Sequence, residues 1–165
     1  MISSVFSGQL TTSVLLFRNV PNLNRSKNNT AMLRFLDTDI CVAFLRGTSV
    51  GVRDRLLQHS RATVALPAIV VAELILGLEK STLRRRHGQR VEDFVESFQI
   101  AAFGANAAKH YAQIRALLEA KGEPIGANDY LVAAIVAAEQ GVLVTGNIRE
   151  FRKVPGLKLE NWLAA

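Results

Sequence analysis

Three acidic residues stand in apolar surroundings, where an ionised carboxylate is costly unless a cation or hydrogen-bond donors meet it. Glu73 is the only polar side chain in the fifteen-residue run 64–78. Asp37 follows the short, mainly apolar run that opens the predicted domain, and Asp129 opens an apolar helical segment at 130–138. Carboxylates carried on three separate apolar elements predict one shared acidic pocket. Oxygen-rich pockets of this kind bind hard divalent cations.

Such a pocket is suited to the hydrolysis of a phosphodiester bond. Two carboxylates brought to about 4 Å repel by roughly 4 kcal/mol at an effective dielectric constant near 20. Without a cation, at least one of them should therefore stay protonated. A bound Mg²⁺, for which Mn²⁺ can substitute, lowers the pKa of a coordinated water and neutralises the charge that builds on a scissile phosphate. This chemistry requires no side-chain nucleophile.

The composition indicates a globular protein of one domain. The chain has 165 residues, of which 49% are hydrophobic and 21% charged. Its net charge of +6 is compatible with a phosphate-backbone partner. The single cysteine, Cys41, excludes an internal disulfide framework and favours a cytoplasmic location. No membrane span is predicted, because the longest apolar run has fifteen residues and contains Glu73.

The first 31 residues differ in composition from the rest. They carry three basic residues and no acidic one, and they are rich in Ser, Thr and Asn. Their apolar patch at 14–17 is too short for the core of a signal peptide. We expect 1–31 to be a disordered leader or a start-site artefact, and 32–165 to form the folded domain.

From Met32 onward, short apolar runs alternate with helical periods, which predicts an α/β fold. We expect three α/β/α layers around a central, mainly parallel sheet of four to five strands. The predicted strands lie at 33–38, 63–66, 100–103, 142–145 and 157–159. In sheets of this kind, ligands bind outside the carboxyl ends of the strands. Asp37 ends the first strand, and Thr145 and Asn147 lie at the end of the fourth.

Three local expectations follow from the same patterns. The helix that carries Glu73 is apolar on all sides, which predicts that it is buried. Asp39 is a better candidate than Asp37 for the N-cap of the first helix. Gly141 is expected to end the helix that begins near Asp129, because glycine readily takes the left-handed conformation found after helix C-termini.

Four segments resemble, in order and at suitable spacing, the four motifs of PIN-domain ribonucleases, and more narrowly those of the VapC toxins of bacterial type II toxin–antitoxin pairs. The resemblance extends from Met32 to about Trp162. Its motifs are Leu-Asp-Thr-Asp-Ile at 36–40, Ala-Glu-Leu-Ile-Leu-Gly-Leu-Glu-Lys-Ser at 72–81, Ile-Gly-Ala-Asn-Asp-Tyr-Leu-Val-Ala-Ala at 125–134 and Leu-Val-Thr-Gly-Asn-Ile-Arg-Glu-Phe at 143–151.

The resemblance implies that residues 32–165 form a PIN domain in which Asp37, Glu73 and Asp129 are the catalytic carboxylates that hold Mg²⁺. Asp37 and Asp129 would be the direct metal ligands. The fourth motif departs from the commonest pattern, because Asn147 stands where an acidic residue is usual. Either Glu150 or Asn147 could complete the site. The hydroxyls of Thr38 and Thr145 are candidates for supporting the site.

The same resemblance implies a set of partners. The substrate would be RNA, and tRNA is one candidate. A VapB-like antitoxin would inhibit the enzyme, and the toxin would form a homodimer. The basic run Arg84, Arg85 and Arg86 is either an RNA or antitoxin contact or an exposed helix face.

Two other functions compete with a ribonuclease. The sequence Asp37-Thr-Asp39 also resembles the start of haloacid-dehalogenase-type phosphatases, but the chain has no late Gly-Asp-x-x-x-Asp pattern. A non-catalytic PIN-like module that binds RNA or a partner is the other alternative, because Asn147 weakens the acidic set. Asp37 could also be only a helix cap, and Asp129 could only complement a helix dipole.

Overall fold

The computed structural model describes residues 32–81 and 84–164, without the side chains of 84–86. In this part of the chain, five strands form one parallel sheet in the order β3-β2-β1-β4-β5. The expected leader 1–31 lies outside the described residues. The strands are β1 (Arg34–Leu36), β2 (Val64–Pro67), β3 (Gln99–Ala101), β4 (Val142–Val144) and β5 (Lys158–Glu160).

Seven α-helices of the described residues flank this sheet, as the alternation of patterns predicts. Helix α5 packs along α6, and α3 packs against α4. A short 3₁₀ helix at Arg61–Thr63 leads into β2. The α-helices are α1 (Thr38–Arg46), α2 (Val50–Gln58), α3 (Ala68–Glu79), α4 (Arg84–Glu96), α5 (Ala105–Ala120), α6 (Ala127–Ala138) and α7 (Ile148–Phe151).

Strand β1 is the centre of the sheet and of the core. Phe35 is aligned with Ala65 of β2 on one side and with Leu143 of β4 on the other. All three side chains are fully buried, because helices cover a parallel sheet on both faces. From β1 the chain winds outwards through β2 and β3, and later returns to add β4 and β5 on the opposite side. The carboxyl ends of β1 and β4 therefore flank the point where the winding reverses, which is the usual ligand site of such sheets.

The expectation that the Glu73 helix is buried on all sides was wrong. Helix α3 buries Val70 and Leu74, but Ile75 and Leu76 are 48% and 51% exposed. The helix contacts α4, α1 and α6 on one side, and within the described residues nothing covers the other. An apolar sequence pattern predicts that other atoms cover a helix face, but it does not identify whether they come from the same chain or from a partner.

Gly141 has a different role from the one expected. Helix α6 ends at Ala138, and it is Gln140, with a φ of 53°, that takes the left-handed conformation. A Cβ at position 141 would lie 2.3 Å from Cε2 of Phe35 and 2.9 Å from the carbonyl oxygen of Leu33. Glycine is required there because the backbone passes directly against the central aromatic ring of the core.

The first strand is shorter than predicted, because Thr38 already belongs to α1 rather than to β1. This early start of the helix places Asp37 in the tight junction between the strand and the helix.

No helix in residues 32–81 and 84–164 combines the length and apolar character that crossing a bilayer requires.

Candidate active site

Asp37 joins the ends of the two central strands. Its Oδ1 accepts a hydrogen bond from the backbone N–H of Thr38 at 2.8 Å, so Asp37 is the N-cap of α1. Its Oδ2 accepts a hydrogen bond from the hydroxyl of Thr145 at 2.7 Å, and its own N–H donates to the carbonyl of Val144 at 2.9 Å. The carboxylate is only 9% exposed. The prediction that Asp39 would be the helix cap was wrong.

Glu73 lies on α3, and the structure brings it to the same rim. Its Oε2 accepts a short hydrogen bond from the hydroxyl of Thr38, the residue next to Asp37. Its Oε1 accepts a hydrogen bond from Nδ2 of Asn128 at 2.7 Å. One carboxylate thereby connects α1, α3 and the first turn of α6, which explains how an acidic residue is accommodated in so apolar a segment.

Asp129 lies in the first turn of α6, next to Asn128, and is partly buried. Its carboxylate folds back towards the backbone of Gly126, and a Cβ at that glycine would lie 3.0 Å from Oδ2 of Asp129. The third predicted acid therefore belongs to the same group as the first two. Burial is the main cause that raises the pKa of Asp129, and the negative charge of Glu73 adds to it. The charge of Asp129 in turn adds a small part to the raised pKa of Asp37, which is also due mainly to burial.

Asp39 is a member of this site that the sequence reasoning assigned to a structural role. Its Oδ2 accepts a hydrogen bond at 2.8 Å from the N–H of Gly146, which follows Thr145. A Cβ at position 146 would lie 2.7 Å from that oxygen and 2.6 Å from Cδ1 of Leu163, so only glycine fits. The second acid of the Asp-x-Asp sequence was the signal for this role. Asn128 was also missed, because an amide next to Asp129 has no distinctive pattern.

The electrostatics of the site follow from burial and from the proximity of like charges. The pKa of Asp37 is raised to about 6, mainly by burial and to a smaller extent by the neighbouring Asp39 and Asp129 carboxylates. The hydroxyl of Thr145 acts in the opposite direction, because it donates to the ionised form. Burial also raises the pKa of Asp39. The pKa of Asp129 is raised first by burial and then by the charges of Glu73 and Glu150.

A hard divalent cation fits this set of donors. All the charged groups are carboxylates, and a cation would relieve the repulsion that adds to the effect of burial on the pKa values of Asp37 and Asp129. In residues 32–81 and 84–164, no three His, Cys, Asp or Glu side chains already surround one point as metal ligands. This finding does not oppose Mg²⁺, which typically takes one or two protein carboxylates and keeps several waters.

The two candidates from the fourth motif occupy different positions. Asn147 is exposed, and its backbone N–H donates to the hydroxyl oxygen of Thr145 at 2.9 Å. Glu150 is tied to Lys153 by a 2.6 Å ion pair, while its charge still acts on Asp129. Either residue stays a candidate for the site. Arg84, Arg85 and Arg86 begin α4, but their side chains lie outside the described part of the chain.

An apolar cleft of about 150 Å³ opens beside Glu73. We call it the Glu73 cleft. Thr38 and Glu73 line the part of the cleft that belongs to the acidic site, and its other polar lining residues are Arg46, Ser81 and His87. The remaining wall is mainly apolar and comes from α1, α3 and α4, with Val42, Leu45, Leu74, Gly77, Leu78 and Val91 among its members. A ligand that fills this cleft would reach the acidic site at one end.

Comparison with known proteins identifies this arrangement. Residues 34–157 match the PIN domain family, so the fold and site define a PIN-domain protein. Ribonuclease VapC2 of Rickettsia felis is 38% identical over 132 residues, which cover 79% of this chain and 98% of that protein. The tRNA(fMet)-specific endonuclease VapC of Salmonella typhimurium is 37% identical over 133 residues, covering 79% and 99%.

A solved structure agrees with both relatives. The crystal structure of VapBC2 from Rickettsia felis, bound to a DNA fragment from their promoter, has a TM-score of 0.74 at 36% identity. The match covers 79% of this chain and 99% of that one. The chain therefore belongs to the VapC ribonucleases of the PIN-domain family. This confirms the resemblance found in the four motifs and the α/β fold expected from it.

Stability of the metal-free protein should depend on pH through Asp37. The folded state holds the Asp37 proton more tightly than the unfolded state, so the free energy of unfolding falls as pH rises from about 4 to 6. The rise of this pKa from 3.8 to about 6 corresponds to about 3 kcal/mol. Asp37→Asn should therefore gain up to about 3 kcal/mol relative to the parent between pH 4 and pH 7.5. Urea unfolding in EDTA measures this, and a pH-independent difference would contradict it.

Proposed function

We propose that this protein is a metal-dependent endoribonuclease toxin that acts in the cytoplasm and cleaves RNA at the acidic site. The observation that carries the proposal is the convergence of Asp37, Glu73 and Asp129 at the carboxyl edge of the sheet. These acids come from three distant parts of the chain, and burial and mutual repulsion raise the pKa values of Asp37 and Asp129. The names of the ribonuclease relatives support the activity.

Each side chain has a distinct part in the proposed reaction. When bound, Mg²⁺ would supply Lewis-acid chemistry, lowering the pKa of water and neutralising phosphate charge. Asp37 and Asp129 would hold the cation. Thr145 fixes the orientation of the Asp37 carboxylate, and Thr38 and Asn128 fix that of Glu73. Glu73 would orient the attacking water for in-line displacement at the phosphorus.

The substrate is proposed to be a structured RNA. One relative, from Salmonella typhimurium, is named as an endonuclease specific for tRNA(fMet), and the match covers 99% of its length. A tRNA is therefore the first substrate to try. The acidic site itself carries no base-reading pattern, because carboxylates and a cation act on the phosphate rather than on the base.

Loss of Asp37 should abolish cleavage. We expect Asp37→Asn to lower the rate of tRNA cleavage at least about a hundredfold, because it removes a charge that holds the cation. EDTA should stop the parent enzyme, and Mg²⁺ or Mn²⁺ should restore it. Gel analysis of labelled tRNA gives the rates. Asp54→Asn is the matched control, since Asp54 is an exposed acid on α2 that pairs with Arg53.

Full activity of the Asp37→Asn variant would refute the acidic site as the catalytic centre. If the parent cleaves no RNA and Mn²⁺ does not raise its melting temperature, the chain is the non-catalytic module considered above.

We also propose that a VapB-like antitoxin inhibits the enzyme by inserting an apolar segment with a basic residue into the Glu73 cleft. The apolar wall would accept the segment, and the carboxylate of Glu73 would attract the basic side chain. The Rickettsia felis relative was crystallised as VapBC2, a complex with its VapB partner. Docking in this cleft would also exclude RNA from the acidic site.

Filling the cleft should separate toxicity from inhibition. Gly77 lies on the cleft wall, and a Cβ at this position meets no atom within 4 Å. We expect bacteria producing Gly77→Phe to stop growing even when the antitoxin encoded beside the toxin is co-produced. Gly88→Phe is the matched control, because Gly88 is equally open but lines the neighbouring groove between α3 and α4. Rescue of both variants by the antitoxin would contradict insertion in the cleft.

We propose that the exposed apolar face of α3 forms the interface of a homodimer. Ile75 and Leu76 are about half exposed there, and large apolar side chains on a helix surface favour association. We expect Leu76→Glu to sediment as a monomer at concentrations where the parent sediments as a dimer. Leu57→Glu on α2 is the control, because Leu57 is 44% exposed and lies on a different helix. A dimeric Leu76→Glu variant would rule out this face.

A further inference from the structure

We propose that the exposed side of α7 and of the turn that follows it binds the phosphate backbone of the RNA next to the scissile bond. We call this surface the α7 basic face and define it as Arg149, Arg152 and Lys153. The inference rests on the proposed ribonuclease function and assigns part of its substrate site. The surface contains none of the predicted catalytic acids, although Glu150 forms an ion pair with Lys153.

The three cations lie on a short helix and on the turn that ends it. Arg149 belongs to α7, Arg152 is the C-cap of this helix, and Lys153 lies in the turn that follows. Phe151 faces the core and is fully buried, which turns the opposite side of the helix towards solvent. Arg149 and Arg152 are exposed, and Lys153 is partly exposed. The helix and its C-terminal turn therefore place three basic residues within five positions of the chain, and the two arginines are exposed to solvent.

Two of these cations have no hydrogen-bond or ion-pair partner in the described part of the chain. Arg149 and Arg152 make no side-chain hydrogen bond or ion pair with residues 32–81 and 84–164. Other arginines differ, since Arg34 pairs with Glu160 and Arg115 pairs with Glu119. An exposed guanidinium without a protein partner keeps its fork of donors available for a phosphate.

The basic face is also connected to the acidic site. Helix α7 begins directly after Asn147, whose N–H donates to the same Thr145 hydroxyl that donates to Asp37. At the other end, Nζ of Lys153 donates to the carbonyl of Pro124 at 3.4 Å, in the loop that leads to Asp129. The basic face therefore borders the site between the loop at Asp129 and the end of β4.

This position answers an electrostatic requirement of the proposed reaction. The acidic site gathers five carboxylates, Asp37, Asp39, Glu73, Asp129 and Glu150, that repel an approaching phosphate backbone. Cations beside the site offset this repulsion and hold the strand on either side of the scissile bond. Glu150 acts as a positioning residue, because its 2.6 Å ion pair keeps the Lys153 ammonium at the rim.

The salt dependence of RNA binding tests the α7 basic face. In an Asp37→Asn background, bulk bacterial tRNA would be titrated at several salt concentrations against the parent and Arg149→Gln/Arg152→Gln. Each lost phosphate contact reduces the slope of log affinity against log salt by about 0.7 for single strands and 0.9 for duplex. We expect the double variant to lose about 1.4 to 1.8 from the slope. Thermal unfolding should show that both proteins are folded.

Lys109→Gln/Lys158→Gln provides the matched control. This variant removes the same amount of charge from two exposed residues. Lys158 begins β5, away from the carboxyl ends of the strands, and Lys109 precedes His110, which lines the same groove as Lys158. The control should keep the parental slope. An unchanged slope in the α7 variant, or an equal loss in both, would overturn the inference.

The outcome separates this inference from the proposed function. With Asp37 restored, cleavage of tRNA by the parent together with an unchanged α7 slope would overturn the basic face alone. A reduced α7 slope in a chain that never cleaves RNA would overturn the ribonuclease and leave the binding surface in place.

Discussion

The hydrogen bond between Thr145 and Asp37 is the interaction on which the site depends. A buried carboxylate must be met by donors, and this one receives a hydroxyl from the end of β4 and a backbone N–H from the start of α1. The contact fixes the two central strand ends relative to each other. It also directs the free lone pairs of the carboxylate towards the edge of the sheet, where Glu73 lies on α3 and Asp129 lies on α6.

Without a bound cation, the same arrangement of acids is energetically unfavourable. Burial opposes ionisation of Asp37, Asp39 and Asp129, and neighbouring charges add to this at Asp37 and Asp129, so ionisation of these acids is costly without a cation. At Asp37, the hydroxyl of Thr145 and the backbone N–H of Thr38 reduce this cost without removing it. A site that is costly without a cation gains the most from binding one, and the free energy released on binding becomes available to the fold. In the proposed metal-dependent enzyme, stability and chemistry would therefore be coupled through the same few oxygens.

The sequence allowed the sheet and three of the site acids to be predicted, because an acid in an apolar run stands out locally. Asp39 and Asn128 could not be assigned in the same way. Their roles depend on contacts with Gly146 and Glu73 that lie far away in the chain. The exposure of α3 was missed because hydrophobicity records a preference for cover rather than its presence. The role of Gly141 depends on the position of the Phe35 ring, which spacing alone does not reveal.

The long separation of Asp37 and Thr145 has a consequence for a cell that makes such a protein. These partners are 108 residues apart, and β4 is added beside β1 late in the chain. A nascent polypeptide emerges from its amino terminus. The hydrogen bond from Thr145 to Asp37 can therefore form only after most of the chain has been translated. A partly synthesised chain therefore lacks the contact between Asp37 and Thr145 and, with it, the assembled acidic site.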